Sequence, residues 1–179
     1  AKERYPSARL SSKTVMRINQ DVLARTEEQY IALGCMPSKN AYGMHGDFGD
    51  PRSMDHRPAG GHLHFGIGKH SDEKMNLKVK ALDAILGVSC VSLFRDFDNP
   101  MRRRYYGLAG EYRTPPHGLE YRVLSNAWLI HPLLCNVVFD LARRCISASD
   151  AGLMKYWKCD EKDTIDIINN CDVDRAIKI

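Results

Sequence analysis

Two histidines separated by one residue lie in a glycine-rich part of the sequence and have the chemistry to bind a metal ion. They are His62 and His64, within the run Gly60-Gly61-His62-Leu63-His64-Phe65-Gly66-Ile67-Gly68. On a β-strand, alternate side chains point to the same face, so both imidazoles would share one face while apolar residues fill the other. Two protonated imidazoles side by side repel each other, and a bound metal or anion relieves that repulsion.

Two glutamate–arginine pairs, Glu111/Arg113 and Glu120/Arg122, repeat the two-residue spacing further along the chain. On strands, each pair would place a carboxylate and a guanidinium on one face, and a structural salt bridge is the common explanation of any one such pair. Between Arg95 and Arg122 there are six arginines and no lysine, which favours bidentate binding of phosphate or carboxylate. Two glutamates cannot neutralise this charge, whereas a polyphosphate with its metal ions would.

The donor types also indicate which metal and which nucleotide site to expect. A carboxylate with one imidazole and waters suits Mg²⁺ or Mn²⁺ better than zinc, which prefers three or four nitrogen or sulfur ligands. The sequence contains no Walker-type loop and no Gly-x-Gly-x-x-Gly motif after a strand. Neither of the two common nucleotide-binding loops is therefore present.

Periodicity and turn residues predict the elements that position these side chains. Apolar residues recur every three or four positions from Ser12 to Leu33, which predicts an amphipathic helix that ends at Gly34. Residues 35–61 hold many glycines and prolines and are predicted to form a loop. Ser71 is a suitable cap for a helix from Asp72 to about Leu93.

The second half of the chain is predicted to mix short strands with helices. The predicted strands cover residues 62–67, 111–113 and 119–124. A turn at residues 115–118 joins the last two strands. A long apolar helix is expected from Ser125 and Asn126 to about Ile146 with a kink at Pro132, followed by one or two small helices in the final 30 residues.

Composition limits the classes of protein that are compatible with the sequence. The chain has 179 residues, of which 44% are hydrophobic and 27% charged, as expected for a single domain over residues 1–179 and not for a disordered or collagen-like protein. The net charge of +4 gives no indication of nucleic-acid binding. The absence of an 18-residue apolar run predicts no membrane contact. Six cysteines without a CxxC pair and no visible secretion signal predict reduced thiols and a cytoplasmic location.

The residues discussed above carry a resemblance to a known family. The sequence is similar to phage-type carboxylate–amine ligases, which are related to glutamine synthetase and glutamate–cysteine ligase, in three ordered segments: Gly60–His64, Arg103–Arg113 and Gly118–Leu129. The earlier segment Gly34–Tyr42 resembles the lead-in of that family. The resemblance implies an α+β fold with a mainly antiparallel sheet and helices packed on one side. It further implies that the chain is the later, C-terminal part of a glutamine-synthetase-like catalytic domain.

The same resemblance implies an ATP-dependent ligase that uses Mg²⁺ or Mn²⁺. ATP would phosphorylate the carboxylate of a small molecule or peptide, and an amine would attack the resulting acyl phosphate to give an amide. By analogy with the glutamine synthetase motifs, His62 and Glu120 would bind the metal, and His64 would lie near the ATP phosphates.

In this interpretation, the arginines of the matching segments bind the phosphates of ATP and the substrate carboxylate. Arg122 would contact ATP and neutralise the phosphoryl group during transfer. Arg103, Arg104 and Arg113 would bind phosphate or the substrate carboxylate. Fixed positive charge of this kind is what phosphoryl transfer requires of a protein.

One feature of the family is not found in the sequence. Its members begin with strands that carry further glutamates, whereas this sequence enters its first predicted helix soon after Ala1, with Glu27 and Glu28 on that helix. Three explanations follow. The chain is a piece of a longer protein, a second chain supplies the acidic strands, or the fold is kept and the chemistry is lost.

Two other functions are compatible with the same residues. The chain could be a non-catalytic interaction or virion-associated protein that retains the fold. Alternatively, it could be a metal-dependent hydrolase with zinc on His62 and His64 and a third ligand from His45, His56 or Glu120.

Overall fold

The computed structural model describes residues 4, 6, 7, 11–27, 38–44 and 54–179, which combine antiparallel sheets with helices. The predicted α+β class is therefore confirmed, while the glutamine-synthetase-like character of the fold and the single domain over residues 1–179 stay predictions. Among the described residues, no helix has the length and apolar character needed to cross a membrane.

Two antiparallel sheets are formed by short strands that are distant in the sequence. The smaller sheet pairs β1 (Val15–Arg17) with β3 (His56–Pro58). The larger sheet has the order β2-β5-β6-β4, with β2 at Lys39–Asn40, β4 at Leu63–Phe65, β5 at Glu111–Arg113 and β6 at Leu119–Tyr121. The strands predicted around residues 62–67, 111–113 and 119–124 are thus confirmed, two of them in shorter form.

The register of the larger sheet separates polar residues from apolar ones. Glu120 on β6 lies opposite His64 on β4 and opposite Arg113 on β5. In the adjacent row, Tyr121 lies opposite Leu63 and Tyr112, and these three side chains are buried. Because side chains alternate along a strand, one face of the sheet carries the charged residues and the other belongs to the core.

Helices supply the rest of the described fold. The α-helices are α1 (Gln20–Arg25), α2 (Asp72–Leu82), α3 (Val88–Leu93), α4 (Pro132–Asp150), α5 (Glu161–Asn170) and α6 (Val173–Ala176). A π-helix (Asp83–Gly87) joins α2 to α3, and 3₁₀-helices cover Pro100–Arg104, Asn126–Ile130 and Leu153–Tyr156. The predicted helix over 72–93 and the small helices near the C-terminus are confirmed. The Ser71 hydroxyl accepts a hydrogen bond from the Lys74 backbone N–H and caps α2, as expected.

The apolar core lies between the larger sheet and the helices. Its members from the helices include Val79, Leu82, Leu86, Val138, Ile167 and Ile168. Burying a side chain of this size stabilises the fold by about 1.5–3 kcal/mol relative to exposure. Gly87 lies where the π-helix approaches this core, because a Cβ there would stand 2.8 Å from Cδ1 of Ile168 and 3.0 Å from the Tyr121 hydroxyl.

A carboxyl group is completely buried beside this core, on Asp83 of the π-helix. It accepts hydrogen bonds from the Tyr121 hydroxyl and the Gly110 N–H, both at 2.6 Å. Burial raises the pKa of Asp83 from 3.8 to about 7, although these hydrogen bonds act in the opposite direction.

In its described part, the predicted helix over Ser12–Leu33 is confirmed only at Gln20–Arg25 and is wrong at Val15–Arg17. Val15–Arg17 is a strand, and helix α1 covers only Gln20–Arg25. The predicted loop over 35–61 is wrong where β2 and β3 form. Local periodicity does not reveal these strands because their hydrogen-bond partners are distant in sequence. Residues 28–37 and 45–53, which fall within the same two predictions, lie outside the described residues.

The predicted helix over residues 126–146 begins later than expected. A 3₁₀-helix ends at Ile130, and α4 starts at Pro132, which therefore begins a helix and does not kink one. Proline is favourable at this position because the first turn of a helix leaves its N–H groups without intrahelical partners. Nδ1 of His131 accepts the Leu133 N–H at 3.1 Å and completes the cap.

Candidate functional site

The carboxylate of Glu120 is the centre of a charged cluster on the polar face of the larger sheet. Its side chain is 10% exposed. Oε1 lies 2.9 Å from Nδ1 of His62 and 3.0 Å from Nη1 of Arg122. Oε2 lies 3.9 Å from Nη1 of Arg113. One carboxylate therefore interacts with an imidazole and two guanidiniums.

Both ring nitrogens of His62 have hydrogen-bond partners. Nδ1 faces Glu120, and Nε2 is bonded to the Tyr106 hydroxyl. Because an ionised carboxylate can only accept, we assign the proton to Nδ1, so that Nε2 accepts from the hydroxyl. The rings of Tyr106 and His62 are stacked, with centroids 5.5 Å apart. A metal ion on Nε2 would therefore replace the hydrogen bond to Tyr106.

The surroundings of His62 favour its neutral form. Burial and then the charge of Arg122 lower the pKa of His62 to about 4, against the opposite effect of Glu120. At neutral pH the imidazole is uncharged. This is the protonation state that a metal ligand requires.

The residues predicted to bind metal do converge in space. One ligand atom from each of His62, His64 and Glu120 lies within 4.8 Å of the other two. His64 is exposed, and its Nδ1 lies 3.1 Å from Nε2 of His117, which belongs to the turn between β5 and β6. Two imidazoles and a carboxylate at this separation fit a divalent ion.

Arg122 is the arginine most deeply enclosed in this cluster, with 4% of its side chain exposed. Besides its contact with Glu120, its guanidinium carbon lies 4.9 Å from the centroid of the Tyr106 ring. Its Nε is buried and has no hydrogen-bond partner within the described part of the chain. A buried donor without a partner is unfavourable, so this nitrogen is available to an anion.

The other predicted arginines have different surroundings. Arg113 contacts Glu120 as described. Nη1 of Arg103 donates to the carbonyls of Gly107 and, at 2.8 Å, of Val123. Arg104 ends the 3₁₀-helix Pro100–Arg104 with an exposed side chain. Arg103 thus holds backbone segments next to the cluster. Arg104 makes none of the contacts described for the cluster.

Two residues of this region, Tyr106 and His117, were not predicted as site residues from the sequence, whereas Glu111 was singled out with Arg113 but given no role of its own. Tyr106 and His117 contact the two histidines, as described above. Glu111 is buried and accepts the Gly107 N–H at 3.0 Å, and burial raises its pKa. Tyr106 and Glu111 lie within the segment Arg103–Arg113 that carries the resemblance. No local pattern indicated His117.

One of the zinc ligands considered above, His56, does not join the cluster in the described structure. His56 is on β3 of the smaller sheet, where its Nδ1 contacts Asp55. His45 lies outside the described residues. Glu120 is the candidate third ligand that the structure places beside His62 and His64.

Comparison with known proteins gave one family. The family model described as phage phiEco32-like COOH-NH2 ligase type 2 matches residues 51–164. The matched range contains the strands β4, β5 and β6 and all the residues of the cluster. No curated protein and no solved structure matches the chain.

Proposed function

The chain belongs to the phage phiEco32-like COOH-NH2 ligase type 2 family, whose model matches more than half of it, and on that premise we propose that it joins a carboxylate to an amine using ATP. The carboxylate oxygen attacks the γ-phosphorus, the bond to ADP breaks, and an acyl phosphate forms. The amine nitrogen then attacks the carbonyl carbon, phosphate leaves with the C–O bonding pair, and the nitrogen loses a proton to solvent. The substrates are a small-molecule or peptide carboxylate and an amine.

The observation that carries this proposal is the Glu120 cluster. A ligase of this kind must hold a divalent ion and a phosphate side by side, and the cluster combines imidazole and carboxylate donors with two guanidiniums. His62 and Glu120 would hold Mg²⁺ or Mn²⁺, with His64 near the phosphates. The ion, when bound, neutralises phosphate charge.

Arg122 has the strongest support as a phosphate ligand. Its buried Nε lacks a partner among the described residues, and an anion beside Glu120 would satisfy it. Arg113 on the neighbouring strand contacts the other oxygen of Glu120 and would share that anion. Guanidiniums fixed in this way stabilise the charge of the transferring phosphoryl group without reorganisation.

Arg103 and Arg104 complete the proposed set in different roles. Arg103 is bonded to backbone carbonyls and positions the segment that carries Tyr106 and Gly107. Arg104 is exposed and would receive the substrate carboxylate. The proposal includes a cytoplasmic location, because that compartment supplies ATP. The five described cysteines are free thiols, as is usual for proteins there.

The proposal is tested by the thermal stability of the chain with and without Mg²⁺-ATP. We expect Mg²⁺-ATP to raise the melting temperature, since a ligand that binds only the native state stabilises it. Glu120→Gln and Arg122→Lys should lose this rise, because the first removes the metal carboxylate and the second removes the Nε donor. Arg95→Lys is the matched control, since Arg95 is exposed and paired only with Asp96 among the described residues.

ADP formation provides a second measurement. Incubation of the chain with Mg²⁺-ATP, hydroxylamine and a panel of carboxylates should release ADP and a hydroxamate, because hydroxylamine intercepts acyl phosphates. Removing one well-placed arginine should reduce this rate by about 10³-fold. If the intact chain shows neither a stability change nor hydroxamate, the ligase proposal is wrong, and self-assembly without a nucleotide response would favour the non-catalytic alternative.

A further inference from the structure

We propose that the groove between β4 and α4 binds the carboxylate substrate as an extended peptide, which pairs with the free edge of β4 and directs its carboxyl terminus towards His64. This inference rests on the proposed function and narrows its carboxylate substrate to one class, a peptide. The ion, its ligands and the phosphate-binding arginines keep the roles already given to them.

The groove is continuous with the Glu120 cluster. It has a volume of about 720 Å³, within the range of roughly 300–1,000 Å³ that is usual for ligand sites. One wall is the segment Leu63–Ile67, which contains β4, and the other is α4 between Asn136 and Ser147. His64 lines this groove and also belongs to the group of three residues whose ligand atoms lie within 4.8 Å of one another. A molecule in the groove therefore lies next to the proposed ion.

The groove follows the free edge of a strand. β4 stands at the end of the order β2-β5-β6-β4, and in the described part of the chain its pairing partner is β6. Consecutive residues from Leu63 to Ile67 line the groove. Because successive side chains of a strand point to opposite faces, a groove lined by consecutive residues runs along the edge of the strand. Backbone N–H and C=O groups at such an edge are left for another extended chain to pair with.

The two walls of the groove have the length of a short peptide. At about 3.3 Å per residue, the strand wall from Leu63 to Ile67 is about 13 Å long. At about 1.5 Å per residue, the helix wall from Asn136 to Ser147 is about 16 Å long. An extended peptide of about four residues spans the same distance. A single amino acid would cover only a small part of either wall.

The lining of the groove suits an uncharged, partly apolar chain. Leu63 and Phe65 of the strand wall and Phe139 of the helix wall supply apolar surface. The aspartate and the arginine of the lining, Asp140 and Arg143, are bonded to each other at 2.8 Å. A polyphosphate requires an excess of fixed positive charge. The groove therefore favours the body of a peptide over ATP.

The direction of the peptide follows from the charges beside the groove. Glu120 lies opposite His64 in the sheet, and the guanidiniums of Arg113 and Arg122 contact its carboxylate. Two guanidiniums around one carboxylate attract the carboxyl terminus of a peptide and repel an ammonium group. The carboxylate would then reach the ATP phosphates while the preceding residues of the peptide stay in the groove.

The test measures hydroxamate formation by the full chain with Mg²⁺-ATP, hydroxylamine and acetylated peptides. The panel contains acetyl-alanine and tetrapeptides in which alanine alternates with valine, leucine, phenylalanine or serine. We expect the apolar tetrapeptides to have KM values at least about tenfold below that of acetyl-alanine, because binding away from the reacting carboxylate lowers KM. The serine tetrapeptide should fall between them, since it pairs with the edge but lacks the apolar contacts.

Backbone methylation of the tightest-binding tetrapeptide tests the pairing with β4. Alternate residues of an extended chain direct their N–H groups to the same side, so only one of the two alternate sets of nitrogens faces the strand. Methylation of that set should weaken binding at least about tenfold, whereas methylation of the other set should change it little. Calorimetric titration of the chain with each peptide, without nucleotide, measures this difference.

A protein variant tests the helix wall. Phe139→Ala should weaken the binding of the apolar tetrapeptides by about tenfold and leave the KM of acetyl-alanine unchanged. Phe97→Ala is the matched control, because Phe97 is an exposed phenylalanine outside the lining of the groove.

The outcomes separate this inference from the proposed function. Equal KM values across the panel, equal binding of the two methylated peptides, or no peptide binding in the calorimeter would overturn the inference. Self-association of the chain that the peptides do not displace would also overturn it, since a second copy would then occupy the edge of β4. Peptide binding with the expected methylation pattern but without hydroxamate would instead contradict the ligase proposal and support the peptide groove.

Discussion

The buried carboxyl group of Asp83 makes a contribution to the free energy of unfolding that decreases as pH rises. Its pKa is 3.8 in the unfolded chain and about 7 in the folded one. Between these values the folded state binds a proton that the unfolded state has lost, so stability falls as pH rises through this window. The loss is complete about one pH unit above the folded pKa, and about one unit below the unfolded pKa the two states are protonated alike.

The variant Asp83→Asn removes this titration. The amide cannot ionise, so this position contributes nothing to the pH dependence of the variant's free energy of unfolding. From the two pKa values, the free energy of unfolding of the wild type should fall by about 3 kcal/mol between about pH 5 and pH 8 because of this group. The variant should not show this fall. At low pH the variant should be close to the wild type in stability, because its amide oxygen can accept the Gly110 N–H while its NH₂ group donates to the Tyr121 hydroxyl oxygen.

The measurement is urea denaturation of both proteins in EDTA at several pH values. The quantity to plot is the unfolding free energy of the variant minus that of the wild type, because groups with the same behaviour in both proteins cancel. We expect this difference to move in favour of the variant by about 3 kcal/mol from pH 5 to pH 8. A difference that stays constant across this range would refute the assignment of a raised pKa to Asp83.

Two further predictions concern the opposite face of the sheet and the π-helix. The pKa of His62 is lowered from 6.5 to about 4, so its contribution to stability is present above the unfolded pKa and is lost as pH falls towards 4. The metal-free variant His62→Gln should lack this part of the pH dependence in acid denaturation curves. A variant curve identical to that of the wild type would contradict the lowered pKa. Gly87→Ala should destabilise the fold by about 1–3 kcal/mol in urea, because its Cβ would meet Ile168 and Tyr121. Gly66→Ala, at a position with open space around the added Cβ, is the control and should change stability far less.

Side-chain alternation predicted which residues share a face within each strand. The spacing of His62 and His64 and of Glu120 and Arg122 implied a shared polar face, and the structure brings these residues together around Glu120. This succeeded because the period of a strand is independent of what the strand pairs with. The pairing of β4 with β6 was not predicted, since it joins segments more than 50 residues apart.

Residues that reach the site from irregular segments escaped prediction for a related reason. Tyr106 follows a 3₁₀-helix and His117 lies in a turn, so neither belongs to a periodic pattern. The strand at Val15–Arg17 was mistaken for helix because its apolar spacing fitted a helix and its partner β3 lies about 40 residues away. The buried position of Asp83 also depends on tertiary contacts with Tyr121 and Gly110.

The hairpin between β5 and β6 divides the site into an enclosed part, whose side chains depend on one another, and an exposed tip. Glu120 and Arg122 are enclosed and share contacts, so a change in either disturbs its neighbours. His117 is exposed at the hairpin tip. The next residue, Gly118, is packed against the backbone of Phe65 and Ile67 and has no room for a side chain. A single substitution at the tip therefore leaves the contacts of Glu120 with Arg113 and Arg122 in place, whereas a substitution of Glu120 removes all of them at once.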